Sequence, residues 1–410
     1  MSLSPFLHGF ARPAARADEF VNIVRGEGAR VFDDQGKSYV EGMGSLWYCQ
    51  IGYGRAEMGE AIGKQAGILG GSHTFDMFTN APAEAVCAEL AALAPMPDAR
   101  VFLASGGSEA VDSAIKIARQ SHTQAGRPEK TVILARTPSY HGMTYGGLAA
   151  TGIMAHKPGF GAMLPDVVHA PQDDLDAMGA LCAQHNGKIA AIIAEPVIGA
   201  PGVYPPKPGY LAGLRALADQ QGAYLILDEV ICGFGRLGSW FGAQHFGITP
   251  DMVTFAKGVT SGYAQLGGVL IGKAVREPLE ADASFLLRHG YTYGGHPVAC
   301  AAGVTNLEIM KREGLVERAK HVGDYLSAGL RAAVASHGDK VTEVRGDGAV
   351  WAVGLRDGFD PAKVRKSMLA EGAVCRPIAP STLAFCPPLV ITDADIDVLT
   401  TALDKGLAAL

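Results

Sequence analysis

The stretches Tyr224-Leu-Ile-Leu-Asp-Glu229 and Asp251-Met-Val-Thr-Phe-Ala-Lys-Gly258 decide how this chain is read. Each is a short run dominated by apolar residues that stops at an ionisable side chain. Continuous apolar runs of this length fit strands buried on both faces of a parallel sheet. Two such strands deliver a carboxylate, Asp228, and an amine, Lys257, to one sheet edge, and open α/β sheets bind ligands beyond the carboxyl ends of their strands. A lysine at the end of a buried strand is partly desolvated. That disfavours its charged form and leaves a nucleophilic amine suited to Schiff-base chemistry with a carbonyl cofactor. A buried aspartate complements it by holding a pyridinium nitrogen. The pair points to pyridoxal phosphate.

Outward from these two runs, further apolar segments alternate with longer amphipathic stretches: Arg100 to Ala104, Thr131 to Ala135, Ile189 to Ala194 and Gly268 to Ile271. The alternation predicts a mostly parallel sheet covered by helices, an α/β fold. Helices are expected at Ser108 to Gln120 and at Pro208 to Gln221, the second opened by its proline and closed near Gly222. Ahead of this core, Ala29 to Val40 predicts a hairpin turning at Asp34 to Gly36, and Ala56 to Leu69 has a helical pattern. Beyond it, helices at Val298 to Lys311 and Val316 to Ser336 lead to short strands near Val341 to Val344 and Ala349 to Leu355. The alternation is lost there, which predicts a smaller α+β domain. The expected division is a large domain over 46–299, with 1–45 and 300–410 forming the small one.

Composition narrows the partners. The 410 residues are 48% hydrophobic, ample for a large core, and 41 acidic residues against 35 basic ones leave no basic footprint for nucleic acid or anionic membrane. Seven scattered cysteines, odd in number and never spaced C-x-x-C, argue against a disulfide framework and a zinc site, and fit a reducing cytoplasm. No stretch reaches the roughly 18 apolar residues of a membrane span, and the amino terminus lacks a signal-peptide core, so a soluble, uncleaved protein is expected.

Several strand ends carry something chemically useful. Ser105-Gly-Gly-Ser-Glu-Ala110 is a small-residue turn entering a helix, whose free amides and positive dipole end suit a phosphate, with the Ser108 hydroxyl as a further donor. An ordinary helix cap at Ser108 accounts for the same residues equally well. Tyr140, beside His141 and Gly142, suits stacking on a flat ring or plain packing. Glu195 fits a salt bridge, a contact to the cofactor or a loop anchor. Gly233-Phe-Gly-Arg-Leu-Gly238 matches the dinucleotide fingerprint, but Ser239 to Gly247 is a poor start for the helix that motif needs, and no strand-end acid follows at the ribose-binding distance. His141, His245 and His296 form no i, i+4 pair, so ordinary hydrogen-bonded histidines are expected and no metal.

Together these residues resemble the class III pyridoxal-phosphate aminotransferases, most closely the omega-aminotransferase branch that uses pyruvate as acceptor. The resemblance runs nearly end to end, through Leu46-Trp47, Gly52-Tyr-Gly-Arg55, Gly107-Ser-Glu-Ala110, Tyr140-His-Gly142, Ala194-Glu-Pro-Val197, Asp228 to Arg236, Ala256-Lys-Gly258 and Thr292-Tyr-Gly-Gly-His-Pro297. It implies a fold type I architecture with a mostly parallel seven-stranded sheet in the large domain. It implies that Lys257 forms the Schiff base with pyridoxal 5'-phosphate and shuttles the substrate proton, and that Asp228 pairs with the pyridine nitrogen. Val230 and Tyr140 would sandwich the ring, with Gly107 and Ser108 on the phosphate and His141 and Glu195 also at the cofactor. Thr292 would complete the phosphate site of a neighbouring subunit, making a homodimer with shared sites or a tetramer of such dimers. Trp47 and Phe75 would line the substrate pocket. Arg376 matches the branch's mobile arginine, a fork that clasps a carboxylate and swings aside for an apolar amine. The implied reaction is ping-pong transfer of an amino group from an omega-amino acid or primary amine to pyruvate or another 2-oxo acid; a decarboxylase or aminomutase on the same scaffold is the alternative. The chain departs from the family at Gly106, where a serine is usual, at the short segment from Val168 to Lys188, and at Ile378-Ala-Pro380 after the arginine.

Overall fold

The computed structural model describes residues 3–410. Its amino-terminal strands are β1 (Ile23–Glu27), β2 (Arg30–Asp33) and β3 (Ser38–Glu41). The predicted hairpin is present, with Arg30 paired to Val40 across the turn, and β1 adds to it from outside. Seven strands form the central sheet: β4 (Arg100–Ala104), β5 (Val132–Thr137), β6 (Val167–Pro171), β7 (Ile189–Ala194), β8 (Tyr224–Asp228), β9 (Met252–Phe255) and β10 (Gly267–Ile271). Their order is β4-β10-β9-β8-β7-β5-β6; β10 runs antiparallel to both its neighbours, and the five strands from β9 to β6 are parallel. Every residue of β7, β8 and β9 is buried, which is why those strands read as unbroken apolar runs. Strand β6 was not anticipated. Val-Val-His-Ala-Pro is polar in the middle, and as the sheet's edge strand it needs only partial burial and tolerates its terminal proline.

The flanking helix Gly107–Gln124 buries Val111, Ala114, Ile115 and Ala118 against the sheet. The predicted second helix spans Tyr210–Gln221 rather than starting at Pro208, because Gly209, in the left-handed region at φ 80°, is the cap. Helix Ala81–Leu93 was missed, although Asn80 caps it by accepting the Ala83 amide; its small side chains give a weak apolar stripe.

The last hundred residues supply helices Pro297–Arg312 and Leu315–Val334 and strands β11 (Val341–Asp347), β12 (Val350–Leu355), β13 (Ala373–Val374), β14 (Arg376–Ile378) and β15 (Thr382–Phe385). A second sheet runs β11-β12-β15-β14, while β13 leaves it to pair in parallel with β3, so the two ends of the chain share one sheet. That pairing sets Val374 opposite Glu41 and brings Arg376 within reach of the central sheet's carboxyl edge. Buried Arg236 ties the halves together by donating to the carbonyls of Ala349 and Pro387 at 3.1 and 2.7 Å. Among the described residues no helix is long and apolar enough to cross a membrane.

Candidate active site

Adjacent parallel strands β7, β8 and β9 end at one edge, with Glu195 just beyond β7, Asp228 closing β8 and Lys257 just beyond β9. Asp228 is held from three sides. Its Oδ1 accepts from the Thr254 hydroxyl at 3.0 Å and the Val230 amide at 3.2 Å, and its Oδ2 lies 2.7 Å from Nδ1 of His141. Thr254 stands directly opposite Asp228 in the β8–β9 ladder. It is the lone polar residue of the β9 run, a signal that could have marked it as Asp228's support from the sequence. A carboxylate fixed this way keeps one geometry for a positively charged partner.

Lys257 adopts φ 52°, a conformation disfavoured for any residue with a Cβ, and strain of this kind persists where surrounding structure over-determines it. Its amino group has no hydrogen-bond partner among the described residues. Burial lowers its pKa, with the charges of Asp228 and Glu195 acting in the opposite direction. Gly258 is required next to it, since a Cβ there would run into the Gln50 side chain.

Helix Gly107–Gln124 opens after Gly106 with no side chain capping it, so Ser108 is not the cap and the first amides of the helix are left for another acceptor. Ser108 turns its hydroxyl to the next loop and accepts the Met143 amide at 3.1 Å. Gly142, at φ 111°, packs on Ser108 so closely that a Cβ would overlap the hydroxyl. A Cβ on Gly107 would stand 3.0 Å from Val230. Gly107, Ser108, Gly142 and Val230 therefore form one wall, continuous with Asp228.

Glu195 proves to be a loop anchor. Its two oxygens accept the amides of Tyr140 and Gly199, each at 2.9 Å, which fixes half-buried Tyr140 over the strand ends. Trp47 differs from the expectation of a pocket-lining ring: it is 2% exposed and packs with Met43, Val197, Ile231 and Ala384, while its neighbour Leu46 is 48% exposed. Phe75 is 47% exposed and lies against Gly290, on the same surface as exposed Thr292, whose hydroxyl has no partner among the described residues. Arg376 is half-buried beside Tyr140 with no ion-pair partner among the described residues; burial lowers its pKa and Tyr140 opposes the shift. The glycine-rich run Gly233–Gly238 forms successive turns with no helix starting from it, which removes the dinucleotide reading. His245 pairs with Asp347 at 2.9 Å, away from these groups.

A family model described as aminotransferase class-III matches residues 13–407. The chain belongs to the class III aminotransferases. A diaminobutyrate–2-oxoglutarate transaminase of Halomonas elongata is 34% identical, over 94% of this chain and 89% of that one. A putrescine–pyruvate aminotransferase of Pseudomonas aeruginosa is also 34% identical, over 94% and 90%. The crystal structure of an (S)-enantioselective omega-transaminase from Thermomicrobium roseum superposes with a TM-score of 0.94 at 36% identity, covering 98% of this chain and 96% of that one. This aminotransferase accordingly has fold type I and depends on pyridoxal phosphate. Its residues fit that group. Uncapped helix amides beside a glycine cradle suit the phosphate, a rigid buried carboxylate suits the pyridine nitrogen, and an unpartnered lysine suits the aldehyde.

Glu229, next to Asp228, does structural work in this aminotransferase. Its oxygens accept the amides of Gly242 and Ala243, each at 2.6 Å, and burial raises its carboxyl to about 7. The folded protein then holds this proton more tightly than the unfolded chain. The resulting stabilisation is complete below the unfolded value and is lost as pH rises through about 7. In Glu229→Gln the fall in Tm between about pH 5 and about pH 8 becomes smaller than in wild type by roughly a few °C, with buried Glu41, also raised to about 7, keeping part of the slope. Equal slopes in calorimetric melts at both pH values would contradict this.

Proposed function

We propose that the protein transfers the amino group of an omega-amino acid or primary amine to pyruvate or a related 2-oxo acid in a ping-pong cycle. The observation that carries this reading is Arg376, a half-buried guanidinium without an ion-pair partner among the described residues, standing beside Tyr140 near Lys257. An unpaired cation held partly out of water is costly, and a carboxylate entering beside it relieves the cost. A cycle that alternates an amine with an oxo acid needs such a group in one half only. The putrescine–pyruvate relative supports this pairing of substrates.

Bound pyridoxal phosphate supplies a carbonyl for amine capture and an electron sink for deprotonation at the substrate carbon. In our reading Lys257 Nζ would hold the group through its carbonyl carbon and, when free, would move the proton between the substrate carbon and that cofactor carbon. Lowered basicity suits it to both tasks. Asp228, steadied by His141 and Thr254, would hold the pyridine nitrogen protonated. Gly107 and Ser108 bind phosphate, and Val230 and Tyr140 face the two sides of the ring. Trp47, as a buried backing, and Leu46 shape the pocket from the loop after β3.

The working unit in this reading is a homodimer, alone or as half of a tetramer. Thr292, Phe75 and Tyr293 share one exposed surface, with Tyr293 68% exposed, and Thr292 meets the partner's phosphate there while Phe75 joins the partner's pocket. Thr292→Ala then loosens cofactor retention about tenfold while leaving the dimer intact, measured by dialysis and light scattering. The division at 46–299 remains our reading of the domains, supported by the pairing of β3 with β13 across it. Seven free cysteines suit the cytoplasm.

Arg376→Ala tests the acceptor assignment. Two charge-assisted hydrogen bonds contribute about 3 kcal/mol or more, so the KM for pyruvate rises about a hundredfold while that for 1-phenylethylamine, which has no carboxylate, stays within about twofold. An unchanged pyruvate KM would return the decarboxylase and aminomutase alternatives.

A further inference from the structure

Arg376 is not alone on its side of the pocket. The chain beyond helix Tyr145–Ala150 makes a tight turn, Met154–His156, closed by the His156 amide on the Ile153 carbonyl at 3.0 Å. Lys157 pins this turn to the helix by donating to the Ala149 carbonyl at 3.1 Å. The turn presents the His156 ring edge-on to Tyr140, with ring centres 6.3 Å apart at 86°. On its other side Phe10 of the amino-terminal segment packs at 5.4 Å and 62°. His156 thus links the outermost segment of the chain to the wall of the site.

Among the described residues neither ring nitrogen of His156 has a hydrogen-bond partner, although Nδ1 is buried. Polar groups that are buried and unpaired are few in folded proteins and call for a reason. The Tyr140 hydroxyl and the Arg376 guanidinium also lack partners among the described residues. Tyr140 and His156 meet edge to face, and the charge of Arg376 acts on both. Burial first, and then the Arg376 charge, lower the pKa of His156 and so favour the neutral imidazole. A neutral imidazole donates one hydrogen bond and adds no second cation to repel Arg376.

We propose that His156 binds the carboxylate of the 2-oxo acid together with Arg376, and serves as an aromatic wall when an apolar amine occupies the same space. This rests on the assignment of Arg376 as the acceptor's clamp. The guanidinium fork takes the carboxylate in its plane, and the imidazole supplies a further donor from the Tyr140 side. With an amine lacking a carboxylate, Phe10, His156 and Tyr140 present a continuous run of rings. His156 therefore sets preference between acceptors and donors without touching the reacting carbon.

The test compares the holoenzyme with His156→Phe, which keeps the ring packing, and His156→Gln, which keeps a donor. Pyruvate and 1-phenylethylamine are each varied at saturation of the other, and propionate, a carboxylate with no carbonyl to react, is used as an inhibitor and in direct calorimetric titration. The phenylalanine variant is expected to raise the pyruvate KM and the propionate Kd about tenfold, with kcat and the amine KM within about twofold. The glutamine variant is expected to recover most of that loss. Unchanged pyruvate and propionate affinity, or an equal rise in the amine KM, would overturn the proposal and leave His156 as packing. Calorimetry reads His156 even if wild type prefers another substrate pair, whereas failure of wild type to use pyruvate would count against the functional reading instead.

Discussion

Lys257→Ala lowers turnover by about ten-thousandfold or more, the largest loss expected of any single substitution in this protein. In the proposed mechanism the side chain does two things, acting as a nucleophile and moving a proton, and positioned acid–base groups alone are worth about 10²–10⁴ in rate. No neighbour can substitute. The nearest charged groups, Asp228 and Glu195, are both committed, the first to His141, Thr254 and Val230 and the second to the amides of Tyr140 and Gly199. The fold should survive, because the Lys257 side chain makes no hydrogen bond among the described residues and its backbone carbonyl, which accepts the Thr260 amide, is unchanged by the substitution. The check is threefold: steady-state rates, a thermal melt, and mass spectrometry after borohydride reduction, which fixes the cofactor to the peptide carrying Lys257 in wild type and leaves the variant unlabelled. A labelled variant, or one retaining a tenth of the activity, would contradict the assignment.

Asp228→Asn is expected to cost about a thousandfold in kcat with little change in fold. Removing one preorganised electrostatic partner typically costs 10²–10³, and in the proposed mechanism the lost group is the one that would hold the pyridine nitrogen protonated. An amide retains the shape and can still accept from Thr254 and Val230, so cofactor retention changes far less than rate. His141 loses its carboxylate partner at the same time. A variant with normal kcat and weak retention would instead make Asp228 a tether, with no electronic role.

Much of this site is legible in the sequence because its strands are buried on both faces. In β8 and β9 the apolar run leaves no ambiguity about where the strand ends, and the first ionisable side chain after it marks the functional edge. Gly107 and Gly142 were readable for a similar reason, since small residues at a strand-to-helix turn permit close approach. What escaped was decided by long-range packing. Nothing local says that Glu195 spends both oxygens on amides at Tyr140 and Gly199, or that Trp47 turns into an apolar cluster while Leu46 faces out. His156 was invisible because its neighbours Phe10, Tyr140 and Arg376 come from three distant parts of the chain. Edge strand β6 was lost because half-buried strands need no clear pattern.

The central claim is that one site accepts an amine and a 2-oxo acid in turn, through Lys257 and Arg376. Its most direct test follows the visible absorbance of the protein loaded with pyridoxal phosphate through the two half-reactions separately. The yellow absorbance is expected to be lost on adding excess 1-phenylethylamine or β-alanine and to return on adding pyruvate, with one equivalent of alanine formed per site. An absorbance that no amine removes, or that pyruvate does not restore, would contradict it.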